Sequence, residues 1–300
     1  MSREGTAGPL AVPVVGRERE VELLVAALDA GAHVVLEGPP GTGKTTLLRA
    51  VADSAPFVFV EGNAELTPAR LVGHFDPAQV LDRGYAPDTF VDGPLVTALR
   101  AGALLYVEEV NRIPEETLNV LITVMSEGEL HVPRLGRVPA SPEFRLVAAM
   151  NPFDAVGTAR ISSAVYDRVC RIAMGYQSAA DEQAVVALRA PGVDADWSAR
   201  VVALVRRTRA HPEVRVGSSV RGAIDTARIA AALARRRGRA ATDWRVGLDA
   251  ALVALSGRIR LQESSARTAE DVVRQLYEAE FGAPPADDDP AGGGGDPGGA

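Results

Sequence analysis

The first half of the chain alternates short apolar runs with segments whose apolar residues recur at helical spacing. Such runs are typical of strands buried on both faces, and their alternation with helices is typical of a parallel sheet. The pattern predicts an α/β fold from Val14 to about Tyr176, with helices on both faces of a parallel five-stranded sheet. The predicted strands are 34–36, 57–60, 104–107, 146–149 and 170–173.

The pattern changes near residue 177, after which it becomes alanine-rich and helical, as in 222–237. This change predicts a second, all-helical domain. The tail is rich in Pro, Gly and Asp and has no large apolar side chain, so it cannot form a core. We expect a flexible leader at 1–13, an α/β domain at 14–177, a helical domain at 178–282 and a disordered acidic tail at 283–300.

A glycine-rich loop lies between the first predicted strand and the helix expected after it. Residues 38–45 read Gly-Pro-Pro-Gly-Thr-Gly-Lys-Thr, which fits the phosphate-binding pattern G-x-x-x-x-G-K-[ST]. Glycines let backbone N–H groups turn toward phosphate oxygens, and the N-terminus of the following helix adds positive charge. We expect the Thr45 hydroxyl to bind Mg²⁺. The predicted nucleotide contacts are Gly38, Pro39, Pro40, Gly41, Thr42, Gly43, Lys44, Thr45 and Thr46.

The loop contains the only lysine of the chain, because the other 31 of the 32 Lys and Arg residues are arginines. Arginine carries a broad planar fork, whereas lysine carries a compact charge on a slim stem. Only the slim side chain fits under a loop that is wrapped around a polyphosphate. We therefore predict that Lys44 contacts phosphate directly.

Two acids end the strand predicted at 104–107. Carboxylates at the C-terminal edge of a parallel sheet face the ligand crevice. There Glu108 can hold Mg²⁺, directly or through water, and Glu109 can polarise the water that attacks the γ-phosphate.

Composition narrows the class of protein. Apolar residues make up 47% and charged residues 24%, as in soluble globular proteins, and no apolar stretch is long enough to span a membrane. The net charge of −7 argues against nucleic-acid binding. Cys170 is interpreted as a small strand residue, and without a disulfide framework or signal peptide we expect a cytoplasmic protein. The arginine-rich stretch 200–239 fits a solvated helix face or a docking surface for an acidic partner.

Ordered motifs along the chain resemble those of MoxR-type AAA+ ATPases and of the related gas-vesicle, Rubisco-activating and nitric-oxide-reductase-activating ATPases. The run Glu108-Glu109-Val-Asn111-Arg112-Ile-Pro114 resembles their D-E-[IV]-N-R-x-P signature. Further resemblances lie at 15–18, 66–73, 121–128, 150–152, 166–168 and 217–222.

The resemblance implies roles for residues outside the loop. Val15 and Gly16 would border the adenine, and Asn151 would orient the attacking water. Arg168 would be the arginine finger that reaches a neighbouring subunit, with Arg160 as the second candidate, and Arg221 would be a nucleotide sensor in the lid. It also implies ATP and Mg²⁺ as cofactors, a homo-oligomeric and hexameric ring, and a client or adaptor protein with a von Willebrand A domain.

One position departs from the family, which usually has aspartate where this chain has Glu108. The extra methylene could displace Mg²⁺, which demands tight octahedral geometry, or the backbone could recede and leave the site working. Two functions stay open: a ring ATPase that remodels a client protein, and an ATP-dependent assembly switch or scaffold with little hydrolysis. A small-molecule kinase would have an acceptor-site lid in place of the helical domain.

Overall fold

The five predicted strands pair into one parallel sheet in the computed structural model of the chain, which describes residues 14–52, 56–152 and 163–285. The described residues divide into two units after Gln177. The strands of the first unit are β1 Val34–Glu37, β2 Phe57–Glu61, β3 Gly73–Phe75, β4 Phe90–Asp92, β5 Leu104–Glu108, β6 Glu129–Val132, β7 Gly136–Pro139, β8 Arg145–Met150 and β9 Cys170–Ala173.

The sheet has the order β2-β5-β8-β1-β9, and every pair in it is parallel. The C-terminal ends of all its strands therefore lie along one edge, where Glu37 is in register with Met150 and with Ala173. Strand β1, which leads into the glycine-rich loop, lies beside β8. Strand β8 in turn separates β1 from the acidic strand β5.

Helices cover both faces of the sheet, which explains the nearly continuous apolar runs. Alternate residues of β1 belong to different cores: Val34 and Leu36 pack on one face and Val35 on the other. Leu24, Leu47 and Leu48 of the first two helices fill the first face. The helices of this unit are α1 Glu18–Asp29, α2 Lys44–Val51, α3 Pro68–Val72, α4 Pro77–Arg83, α5 Pro94–Ala101, α6 Glu115–Glu127 and α7 Ser163–Tyr166.

Two short antiparallel hairpins, β3–β4 and β6–β7, interrupt the alternation of strand and helix. Phe75 packs edge-on against Tyr85 and Phe90, with ring centroids 5.0 Å apart in each pair. The Arg134 guanidinium, in the β6–β7 turn, lies 3.8 Å from the Tyr85 ring centroid, within the range of a cation–π contact. The β6–β7 turn therefore contacts the segment 73–92 that β3 and β4 enclose.

The second unit is helical, as predicted, with one small addition. Its helices bury an alanine- and valine-rich core with Tyr277 fully enclosed. The addition is an antiparallel pair of short strands, formed because Pro212 follows the end of a helix and the β-branched Val214 and Val216 favour extended backbone. The elements are α8 Ala179–Arg189, α9 Ala195–Ala210, β10 Val214–Val216, α10 Val220–Arg237, α11 Trp244–Leu255, β11 Arg260–Leu261 and α12 Ala269–Phe281.

Several arginines of the stretch 200–239 form ion pairs within the second unit. Arg206 and Arg209 lie 3.2 Å and 2.7 Å from the buried Glu182, and Arg207 lies 3.0 Å from Glu280. Because these arginines pair with acids of their own unit, the ion pairs favour an ordinary helix face over a docking surface for an acidic partner. Across the described ranges, none of the helices is long and apolar enough to cross a bilayer.

His33, just before β1, makes the stability of the first unit sensitive to acid. Its Nδ1 accepts the Leu146 N–H at 3.0 Å, and burial, followed by the charge of Arg145, holds its pKa below the ordinary value. The unfolded chain then binds more protons below about pH 6.5, so stability is present above that pH and is lost as pH falls through the lowered pKa. We expect His33→Asn, whose amide oxygen can accept the same N–H, to flatten the fall of Tm as the pH drops below about 6.5. An unchanged fall would show that other groups cause it.

Candidate functional site

The glycine-rich loop connects β1 to α2 in a conformation that suits an anion. Gly41 and Gly43 have φ values of 76° and 89°, in the left-handed region that favours glycine. Gly43 precedes the first residue of α2 and offers no side chain to cap it. The first N–H groups of α2 therefore stay available to phosphate oxygens beside the positive end of the helix dipole.

The start of the loop is packed too closely for any other residue than glycine. A Cβ atom at Gly38 would overlap the carbonyl oxygen of Met174 at the end of β9. The backbone here is held by two hydrogen bonds, from Gly38 N–H to the Met150 carbonyl at 3.2 Å and from Met174 N–H to the Glu37 carbonyl at 2.7 Å. Strands β8 and β9 thus fix the point at which the loop leaves β1.

Lys44 folds back over the loop that carries it. Its Nζ donates to the carbonyl oxygens of Gly38 at 2.7 Å and Pro39 at 2.9 Å. Thr42 closes the same turn, since its hydroxyl donates to the Pro39 carbonyl at 2.9 Å. The ammonium therefore lies inside the loop, and its contact to phosphate stays a prediction.

Thr45 and Glu108, the two predicted metal ligands, are in direct contact. The Thr45 hydroxyl donates to Glu108 Oε1 at 2.8 Å, so the longer arm of glutamate reaches the helix without a gap. Mg²⁺ in such sites is held by one or two protein oxygens and completed by phosphate and water. Within the described parts of the chain, no group of three or more His, Cys, Asp and Glu side chains forms a metal cluster.

Tyr106 supports this pair and was not predicted as a site residue. Its hydroxyl lies 3.4 Å from the Thr45 hydroxyl, and its fully buried ring packs near Phe57 and Phe59. Burial raises the pKa of Tyr106 to about 12, so the hydroxyl keeps its proton at neutral pH. A single polar-tipped side chain within the apolar run 104–107 was the signal available in the sequence.

Glu109, the predicted general base, has a constrained backbone. Its φ of 52° lies in the left-handed region, which is uncommon for a residue with a side chain. Gly62 lies against it, because a Cβ there would lie 2.5 Å from the Glu109 carbonyl oxygen. The Glu109 carboxylate forms an ion pair with Arg112 at 2.9 Å.

Asn151 directly follows β8, between the glycine-rich loop and the acidic strand. The Asn111 side chain donates to the Asn151 carbonyl at 3.4 Å, which links the segment after β5 to the end of β8. The structure thus brings Lys44, Thr45, Glu108, Glu109 and Asn151 to the same edge of the sheet. The water-orienting role of the Asn151 amide stays a prediction.

Arg168 contacts a different part of the unit. Its guanidinium bonds to the Ser126 hydroxyl at the end of α6 and to the Ala164 carbonyl, the latter at 2.8 Å, and about a third of the side chain is exposed. These contacts leave it outside the glycine-rich loop of its own chain. Its finger role stays a prediction, and the alternative candidate Arg160 lies outside the described residues.

Glu37, which was also not predicted, links the strand before the loop to the segment that carries Arg168. Its largely buried carboxylate pairs with Arg171 and lies 3.5 Å from the Tyr166 hydroxyl. Burial, followed by the charge of Glu37, raises the pKa of Tyr166. An acid directly before Gly38 was the only sign of this link in the sequence.

The remaining predicted residues lie in two places. Val15 and Gly16 precede α1, where the Val15 carbonyl accepts from the Gln177 side chain and Gly16 has a φ of 63°. Arg221 is the second residue of α10 in the second unit, where its side chain is exposed. Its nucleotide-sensing role stays a prediction.

Comparison with known proteins agrees with this geometry. The model of the AAA domain (dynein-related subfamily) matches residues 33–169. The gas vesicle ATPase GvpN of Haloferax mediterranei is 31% identical over 209 residues, which cover 64% of this chain and 60% of that protein. The uncharacterized protein YeaC of Bacillus subtilis is 31% identical over 251 residues, covering 74% of this chain and 75% of that protein.

A solved structure shares the fold. NtrX from Brucella abortus, in complex with ADP, has a TM-score of 0.55 at 18% identity and covers 89% of this chain and 62% of its own. The chain spans about three fifths of the length of the gas vesicle ATPases that it matches. One family assignment is supported by the match of the family model, by the similarity to YeaC and by the parallel sheet. The chain belongs to the AAA+ ATPases and carries a dynein-related AAA domain, in agreement with its resemblance to the MoxR type.

Proposed function

We propose that the protein is a Mg²⁺-dependent ATPase of MoxR type that assembles into a homo-oligomeric, hexameric ring and remodels or activates a client protein. The observation that carries the proposal is the cluster of Lys44, Thr45 and Glu108 at the N-terminus of α2. The Lys44 cation bonds to carbonyls of the loop, and the Thr45 hydroxyl bonds to the Glu108 carboxylate. AAA+ membership supports nucleotide binding by this cluster.

Each group has a distinct task in hydrolysis. The loop N–H groups and Lys44 hold the phosphates, and bound Mg²⁺ would neutralise charge that develops on the phosphate oxygens. Thr45 and Glu108 would hold that ion, while Glu109 would accept a proton from the attacking water, which the Asn151 amide would orient. Arg168 would contact the nucleotide of a neighbouring subunit. Arg221, which lies in the second unit, would sense the bound nucleotide.

The proposal is tested by phosphate release and by particle mass, each measured with and without Mg²⁺ and ATP. We expect turnover per chain to rise with protein concentration as rings form, because the arginine comes from a neighbour. Turnover that is constant over the concentration range in which the mass increases would contradict the shared site. A client with a von Willebrand A domain is the partner we would seek first by affinity capture.

The variant Glu108→Asp separates hydrolysis from the alternative, an ATP-dependent switch or scaffold with little hydrolysis. The Gly62 N–H donates to the Glu108 carbonyl at 2.7 Å and fixes the end of β5. The backbone therefore cannot move toward Thr45 to compensate for the shorter side chain of aspartate. Aspartate then falls short of Thr45, and we expect turnover to fall about tenfold, equivalent to about 1.4 kcal/mol.

We expect the ATP affinity of Glu108→Asp to be nearly unchanged, because the glycine-rich loop is intact in this variant. Glu61→Asp is a matched control, because Glu61 is in register with Glu108 but exposed. A gain in turnover for Glu108→Asp would instead support the switch.

A further inference from the structure

Arg17, which immediately precedes α1, is a buried charge that joins three parts of the first unit. Only 6% of the residue is exposed. Its Nη1 donates to Glu20 at 2.7 Å, while its Nη2 donates to the Thr42 carbonyl at 3.0 Å and to the Gly175 carbonyl at 2.6 Å. One nitrogen therefore connects the glycine-rich loop to the last residues of the unit.

The connection is geometrically tight because a guanidinium is planar. The two N–H groups of Nη2 point in fixed directions, so one serves each carbonyl and a shift of either oxygen strains the other bond. Glu20, itself mostly buried, holds the opposite nitrogen in place. Burial makes a broken bond costly, since the freed donor finds no water to replace its partner.

Both ends of the connection lie at glycines. Thr42 lies between Gly41 and Gly43, and its N–H and carbonyl belong to the loop that would wrap the phosphates. Gly175 has open space around its Cβ position, three residues before the second unit begins at Ser178.

A second bond joins the segment that carries Arg17 to the residues after Gly175. The Gln177 side chain donates to the Val15 carbonyl, two residues before Arg17. Residues 15–17 therefore hold both Gly175 and Gln177, the segment that leads into the second unit. A change at Thr42 has a direct path to that segment through a single side chain.

We propose that Arg17 is a positioning residue that transmits occupancy of the glycine-rich loop to residues 175–177. When phosphate reorients the Thr42 peptide, the guanidinium shifts and changes its bond to Gly175. Nucleotide state thereby reaches the segment before the second unit within one subunit. The inference rests on the proposed nucleotide binding.

The test is hydrogen exchange of the full chain, measured by mass spectrometry with and without Mg²⁺–ADP. In the wild-type protein we expect ADP to change exchange in peptides covering 38–48 and in peptides covering 172–178. In Arg17→Lys, which keeps the charge but not the planar fork, protection of 38–48 should remain and the response of 172–178 should fall at least about threefold. Arg17→Ala should behave in the same way.

Arg19→Ala is the matched control, because Arg19 is exposed on α1 two residues away, and it should keep both responses. A response of 172–178 that persists in Arg17→Lys overturns the inference, as does a wild-type protein that protects only 38–48. If the wild-type protein shows no protection at 38–48, nucleotide binding and the inference fall together. Arg17→Lys decides the matter even where Arg17→Ala unfolds.

Discussion

Replacing Lys44 by arginine should abolish ATP turnover as completely as replacing it by alanine. The Lys44 ammonium fits between the Gly38 and Pro39 carbonyls at 2.7 Å and 2.9 Å, in a loop whose start is packed against Met174. A guanidinium is wider and would either push the loop open or leave it. We expect turnover to fall at least about 100-fold in both variants, about 2.7 kcal/mol of lost transition-state stabilisation.

The measurement is phosphate release at saturating Mg²⁺–ATP, together with nucleotide affinity by calorimetry. Arg49→Lys is the matched control. Arg49 lies exposed on the same helix, and this variant replaces arginine by lysine where the test variant replaces lysine by arginine. It should change turnover less than about twofold. If Lys44→Arg kept more than about a tenth of the wild-type turnover, a positive charge of either shape would suffice at this position.

The sheet could be predicted from the sequence because its strands are buried on both faces. Runs such as Val34-Val35-Leu36 have no polar position that water could reach, and the structure places them in two cores. The edge of the sheet where Glu108 and Glu109 lie followed from the same logic, because the carboxyl ends of parallel strands share one edge. Asn151, at the end of β8, was singled out by the resemblance.

The contacts between distant segments could not be predicted in the same way. Arg17 bonds to a carbonyl 158 residues away, and Arg168 bonds to a serine 42 residues away. Every residue type has a backbone carbonyl, so the sequence at Thr42 and Gly175 gives no sign that Arg17 bonds to them. The hairpins β3–β4 and β6–β7 were missed because their strands contain glycine, proline, histidine or charged residues and form no continuous apolar run.

The two acids show where the resemblance was most useful and where it stopped. It supplied Asn111 and Arg112 as parts of one signature, and the structure pairs Arg112 with Glu109 and Asn111 with the Asn151 backbone. It did not explain how a glutamate could stand at 108. The 2.8 Å bond to Thr45 gives a physical answer, since the longer side chain reaches the hydroxyl with the strand end fixed.

Replacing Arg168 by alanine should remove most turnover while leaving nucleotide affinity nearly unchanged. Its guanidinium is held by Ser126 and Ala164 and is partly exposed, which suits a group that meets the nucleotide of a neighbour. An arginine that stabilises charge only in the transition state contributes about 10³-fold or more to phosphoryl transfer. We expect a loss of at least about 100-fold in turnover and a change of less than about threefold in ADP affinity.

Mixing two inactive variants tests whether Arg168 acts between subunits. Arg168→Ala chains keep Glu109, and Glu109→Gln chains keep Arg168, so a mixed ring contains interfaces at which both groups are intact. We expect mixtures of the two to recover phosphate release, with a maximum near equal proportions, while each variant alone stays inactive. Arg137→Ala, at an exposed arginine of β7, is the control and should keep wild-type turnover. Mixtures that stay inactive despite normal ring mass would place Arg168 in its own subunit's site, and an active Arg168→Ala protein would remove it from catalysis.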